Sequence, residues 1–147
     1  MGGNNFNSRG RGNSVEVNRT PIELTDENYV SQAEAVIKRL IDENGKNKIL
    51  TTSKIRKLLA MISDMYTKAK RLKSDVLDSE WISKIQYFKM HTIYEAGREP
   101  SVKKFVEEAQ LIDQLDKINT DRKKLILFCH YMEALVAYRK YSNVRDE

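Results

Sequence analysis

Between Asp121 and Tyr141 the chain is apolar almost all the way round a helix. Ile126, Leu127, Phe128, Tyr131, Met132, Ala134, Leu135, Val136, Ala137 and Tyr138 leave little polar face. A helix of that kind has to be covered on most sides, so it is expected to be the most buried element, with other helices around it. The preceding sequence supplies such partners. Tyr29, Val30, Ala33, Val36, Ile37, Leu40 and Ile41 form one stripe, with Thr25 or Asp26 as cap and Asn44-Gly45 as stop. Ile55, Leu58, Leu59, Ile62, Tyr66 and Ala69 recur at i, i+3, i+4, i+7, i+11 and i+14, which predicts a second helix over about Thr52 to Leu72.

A third helix begins at Asp78-Ser79, carries Trp81, Ile82, Ile85, Phe88, Thr92 and Ile93, and is closed by Gly97. Proline suits the first helical turn, so Glu99-Pro100-Ser101 starts a fourth, with Val102, Phe105, Val106, Ala109 and Ile112 on its apolar face. The apolar segment after Asp121 is the fifth. No alternating runs flank a hairpin turn, and no period of 20 to 50 residues repeats. The expected fold is all-α, one five-helix bundle over residues 25–147. Residues 1–24, rich in glycine, asparagine and serine, read as a flexible tail.

The 147 residues suffice for one domain with a proper core, and 26 lysines and arginines against 21 acids give a net charge of +5. That excess suits a phosphate-bearing partner without requiring one. With one cysteine, Cys129, no intrachain disulfide forms, and its apolar surroundings mark it as a core side chain. No apolar run reaches membrane-span length, and Met1 to Gly12 has no hydrophobic signal region, so a cytoplasmic protein is expected.

Charge placement is the strongest functional signal. A helix start is about half a unit positive and favours acids. Here Lys54, Arg56 and Lys57 occupy the first turns of the second helix, just after Thr51, Thr52 and Ser53. Each misplaced cation costs a few tenths of a kcal/mol up to about 1 unless an external anion neutralises the site. The start therefore reads as a phosphate seat. The pattern recurs at the last helix, where Asn119-Thr120-Asp121 precedes Arg122, Lys123 and Lys124. Arg9-Gly10-Arg11-Gly12 has the look of a minimal Arg-Gly segment that touches RNA loosely.

Catalytic constellations are missing. His91 and His130 have no cysteine or histidine neighbours at metal-ligand spacing. Cys129 and His130, adjacent on a helix, diverge by about 100°, poor geometry for a thiolate–imidazole pair. Glu107-Glu108 reads as an exposed helix face, and Tyr87, Tyr94, Tyr131, Tyr138 and Tyr141 as core or interface. No enzyme activity, metal, cofactor or small-molecule substrate is expected.

Four segments in series resemble a known family: residues 25–30 (Thr-Asp-Glu-Asn-Tyr-Val), 50–56 (Leu-Thr-Thr-Ser-Lys-Ile-Arg), 94–98 (Tyr-Glu-Ala-Gly-Arg) and 128–138, which opens Phe-Cys-His-Tyr-Met-Glu. They look like the small helical subunit of the type III-A CRISPR (Csm) effector complex. The resemblance spans about Thr25 to Tyr141 and implies a non-catalytic helical protein of antiviral defence. Several copies would stack beside larger backbone subunits and line the channel that holds guide RNA paired with target RNA. Target cutting would belong to a backbone subunit, and DNA cutting and cyclic oligoadenylate synthesis to the large subunit.

A guide–target duplex is A-form, with bases hidden from side chains, and a protein serving any guide has to ignore sequence. Contacts should then go to phosphates and sugars. Lys54 and Arg56 lie in the segment resembling the family's basic helix start, and Lys57 follows on physical grounds. Arg98, just past Gly97, is the next candidate, with capping of the third helix as its alternative role. Arg122 and Lys123 would serve RNA or a neighbouring subunit. His130 departs from the family, where arginine is expected, and would give a weaker, pH-sensitive phosphate contact. The competing reading is a helical adaptor that makes only protein contacts.

Overall fold

Thr25 and Asn28 set the direction in which the first helix enters. The Thr25 amide donates to Asn28 Oδ1 (2.8 Å) and the Asn28 amide to Thr25 Oγ1 (3.1 Å). This reciprocal turn fixes the chain before α1, Tyr29–Asn44, begins. Thr25 caps the turn that leads into α1, its carbonyl accepting from the Tyr29 amide at 3.2 Å, and Asn28, directly before the helix, makes no side-chain cap bond to it. The computed structural model describes residues 20–45 and 49–142. The Arg-Gly segment of the expected tail lies outside them.

Among the described residues six α-helices follow one another instead of five: α1, α2 (Arg56–Ala69), α3 (Ser79–Arg98), α4 (Pro100–Ala109), α5 (Leu111–Ile118) and α6 (Arg122–Tyr141). No strand forms among the described residues. One isolated bridge joins Val76 to Asp121. The all-α expectation is met, and the count is corrected at Gln110. There the predicted fourth helix breaks, because Gln110 adopts a left-handed backbone with φ 57°. The apolar face changes register across the break, so Leu111, Leu115 and Ile118 are buried while Ile112 is only partly covered.

Polar contacts explain the break. Gln110 Oε1 accepts from the Ile22 amide (2.8 Å), and its Nε2 donates to Thr20 O (2.9 Å). Gln114 and Lys117 also reach Ile22 O. Residues 20–24 thus form a strap against α5, with Ile22 buried, which corrects the flexible-tail expectation for that stretch. A left-handed non-glycine residue costs roughly 1–2 kcal/mol, and the two Gln110 hydrogen bonds, one part-buried and one exposed, offset a cost of that size.

Two other boundaries moved. Gly97 does not close α3. It is helical, and the chain turns off at Glu99, which precedes proline and takes an extended backbone. The second helix starts with a 3₁₀ turn, Thr52–Ile55, and its α portion ends at Ala69 rather than Leu72.

α6 lies at the centre and packs on α1, α2 and α5. Leu125, Phe128, Cys129, Tyr131, Met132, Ala134 and Leu135 are buried along it. The polar side chains that α6 and its neighbours bring into the core are paired, whereas both ring nitrogens of His91 on α3 are covered without a hydrogen-bond partner. Tyr131 Oη donates to Ala109 O (2.9 Å), and burial lifts its hydroxyl above the ordinary tyrosine range. Buried Glu108 pairs with Arg39. Arg139, 2% exposed, donates through Nε to Leu50 O at 2.6 Å and so ties the chain after α1 to the end of α6.

Gln110→Ala should remove both strap bonds and keep the unfavourable φ, which lowers stability by about 1–3 kcal/mol. Gln110→Gly loses the same bonds but takes positive φ freely, so it should be about 1 kcal/mol more stable than the alanine variant. Urea midpoints of the two variants measure the difference.

Candidate nucleic-acid interface

The 3₁₀ turn before α2 changes how its cations are presented. Lys54 sits within that turn, and Arg56 and Lys57 are the first two residues of α2. All three are exposed. The amide of Lys54 donates to Thr51 O (3.1 Å) and that of Arg56 to Ser53 O. Some of the free amides expected at a helix start are therefore already used, and side-chain charge is left as the main attraction for an anion. No acid lies in the first turn of α2. Arg56 and Lys57 make no ion pair among the described residues, whereas Lys54 Nζ contacts Glu99 Oε1 at 3.1 Å.

That contact brings the α3–α4 corner to the same place. Glu99 follows Arg98, whose Nη1 lies 3.2 Å from Glu95 Oε1 and whose guanidinium stacks 5.7 Å from the Tyr94 ring centroid. Lys54 and Glu99 are both partly exposed, and a surface pair of this kind is worth roughly 0–1 kcal/mol, so an arriving phosphate can displace Glu99 at little cost. Glu95 is buried, and its carboxylate holds Arg98 more firmly.

Arg122 is used differently. Its Nε donates to Ala69 O (2.9 Å), Nη2 to Lys70 O (3.3 Å) and Nη1 to Asp75 Oδ1 (3.3 Å). The guanidinium thus closes the carbonyl end of α2, where positive charge is favourable, and this clamp is what stops α2 at Ala69. The start of α6 has its own anion as well, since Asp121 Oδ1 accepts from the Lys123 amide (2.9 Å). The inverted charge at α6 is satisfied inside the chain and needs no external phosphate. Lys123 and Lys124 remain exposed.

The seven candidates do not form one cluster. α2 has 14 residues, so its two ends lie roughly 21 Å apart. Lys54, Arg56, Lys57 and Arg98 gather at one end, and Arg122 and Lys123 stand at the other. His130 is half-buried, with Tyr66 at 5.2 Å and Tyr29 at 5.7 Å between ring centroids. Periodicity did not single out Lys70, whose ammonium lies 5.1 Å over the Tyr66 ring. The i, i+4 spacing of Tyr66 and Lys70 was the available signal.

Cys129 is buried, and burial pushes its thiol up to about 12, with Glu133 adding to the shift. His130 faces the two tyrosines, so this neighbouring pair is not assembled as a nucleophile and base. No group of three or more histidine, cysteine or carboxylate side chains is placed to hold a metal among the described residues. No described helix is long and apolar enough to cross a membrane.

Residues 25–145 match the family described as Csm2 Type III-A. The chain is 46% identical over 123 residues to the CRISPR system Cms protein Csm2 of Streptococcus thermophilus, covering 84% of this chain and 98% of that protein. The protein of the same name from Mycobacterium tuberculosis is 36% identical over 124 residues, covering 84% and 98% of the two chains. That from Enterococcus italicus is 38% identical over 133 residues, covering 84% and 94%.

Two outcomes test these placements. Folded Cys129 stays neutral where the unfolded thiol ionises from pH 9.0, so its contribution to stability is intact below that pH and is lost as pH rises toward 12. The loss is on the order of a few kcal/mol. Unfolding midpoints of Cys129→Ala should fall less steeply above pH 9 than those of the natural chain. Arg122→Ala should lower stability by about 1–3 kcal/mol through its orphaned carbonyls, read as a drop in Tm.

Proposed function

The chain belongs to the Csm2 Type III-A family, and we propose that it is a non-catalytic subunit that grips the backbone of a guide RNA–target RNA duplex. Several copies stack along the duplex beside the other Csm subunits, and the assembly serves antiviral defence in the cytoplasm. The observation that carries this reading is the corner where Arg56 and Lys57, without ion pairs among the described residues, adjoin Lys54 and Arg98. A helix start holding three cations and no acid attracts phosphate, and no buried cleft restricts which sequence it meets.

Charge at this corner is point-like and movable, as a sequence-blind contact requires. Lysine ammonium and arginine guanidinium both bind phosphate, the second through a two-pronged fork. Lys123 and His130, with Lys70, offer a second and weaker contact on the α6 side. His130 gains full donor capacity only when protonated. Arg122, closing α2, stands behind this surface rather than on it.

The test is a particle assembled with guide RNA and the other subunits, titrated with target RNA across salt concentrations. Alanine at Lys54, Arg56 and Lys57 together should weaken binding and flatten the salt slope by about two to three contacts per copy. An assembled particle with an unchanged slope overturns the proposal. Failure of the variant to join the particle favours the adaptor reading, in which these cations pair with acidic protein surfaces.

A further inference from the structure

Helix α3 carries two seams with coiled-coil spacing, and the bundle uses one of them. Trp81, Ile85, Phe88, Thr92 and Glu95 recur every four and three residues and are buried. Two positions along, roughly 200° round the helix, Ser83, Tyr87, Met90, Tyr94 and Gly97 recur with the same spacing and face solvent. Tyr87 is 56% exposed, Met90 50%, Ile93 53% and Tyr94 58%. With Gln86 beside them, seven outward positions carry no charge, in a chain where 32% of residues are charged. An exposed apolar patch of this kind marks an interaction site.

Gly97 gives an independent indication. It is helical with ordinary φ, and a Cβ added there meets nothing within 4 Å. Glycine in a helix costs up to about 1 kcal/mol relative to alanine. Nothing within the described chain requires it, so its missing side chain benefits a surface that comes from outside.

We propose that the exposed α3 seam pairs with the same seam of a second copy, antiparallel and two-fold about Met90. Reversal about Met90 sets Met90 on Met90, Tyr87 on Ile93, Gln86 on Tyr94 and Ser83 on Gly97. Every pairing is uncharged, and the small residues fall at both ends, where crossing helices approach closely. Glu80 of one copy comes level with the end of the other that carries Arg98, an attractive pairing. Lys84, on the rim, is folded back over the Trp81 ring at 5.5 Å. Thioether–aromatic contacts at the centre suit Met90 between tyrosines. The four large side chains expose on the order of 400 Å² per copy, the scale of an interaction patch, which fits a micromolar dimer rather than a permanent one. A two-fold contact closes on itself, so it is distinct from the stacking proposed above and is tested without RNA.

Sedimentation equilibrium of the purified full chain at micromolar concentrations should show reversible monomer–dimer exchange. Met90→Glu, which sets two carboxylates face to face, should raise the dimer Kd at least tenfold. Gly97→Leu should do the same while leaving Tm unchanged or higher, because the space beside it is open. Met90→Cys should form a disulfide between copies under mild oxidation, and Gln86→Cys, which faces Tyr94, should not. A chain that stays monomeric throughout, or a dimer that both Met90→Glu and Gly97→Leu leave intact, overturns the proposal. So does loss of particle assembly by Met90→Glu in a chain that is monomeric alone, since another subunit would then own the seam.

Discussion

The fold depends on covering α6. Its buried residues lie on so many sides that no single partner helix can shield it, and α1, α2 and α5 divide the task. Each of those elements needs only one apolar stripe for the task and leaves its opposite face to solvent. Polar groups drawn in with α6 are paired within the chain: Tyr131 with Ala109, and Arg139 with Leu50. These bonds add modest stability. They matter more for fixing which turn of α6 meets which neighbour, because a buried donor left unpaired costs more than a paired one gains.

Cations stand in the first turns of two helices, and the chain resolves the two cases differently. At α6 the dipole is met by Asp121, and Arg122 turns away to the carbonyl end of α2. One arginine thereby removes an unfavourable charge from one helix start and supplies a favourable one to another helix end. At α2 no acid lies in the first turn, and Arg56 and Lys57 stay without ion pairs among the described residues. The same sequence signature thus has a structural cause in one place and an open valence in the other. Position in the helix does not separate them. The difference lies in what packs beside each start.

That contrast explains how far the sequence could be read. Helix periodicity located α1, α2, α3 and α6 and the burial of α6, because those features follow from local spacing and the amount of apolar surface. The break at Gln110 was invisible, since no glycine or proline marks it and its cause is a strap some 90 residues away in sequence. Gly97 misled for the opposite reason: a residue typical of helix ends sits inside a helix, and proline at 100 does the stopping. Buried charges were missed as well. Glu108 read as part of an exposed helix face until Arg39 is seen beside it, and nothing in the local spacing marked Arg139 as buried against Leu50 O. At the candidate corner, the position of Lys54, Arg56 and Lys57 at the start of α2 was legible, and the structural use of Arg122 was not, because its partners lie on another helix and the loop after it.

The α3 seam and the basic corner meet at Tyr94. Its ring belongs to the uncharged stripe and at the same time supports the Arg98 guanidinium, 5.7 Å away. A second copy seated on the seam covers that ring and takes water from around Arg98. That copy also occupies space beside the Arg98 guanidinium that an incoming phosphate needs. The two proposed contacts therefore compete for room at one tyrosine, and RNA bound at the corner should favour the separated copy. A chain that pairs with itself when free and opens when it meets a polyanion shields its apolar stripe until assembly. The coupling needs no moving domain, only an arginine stacked where the two surfaces meet.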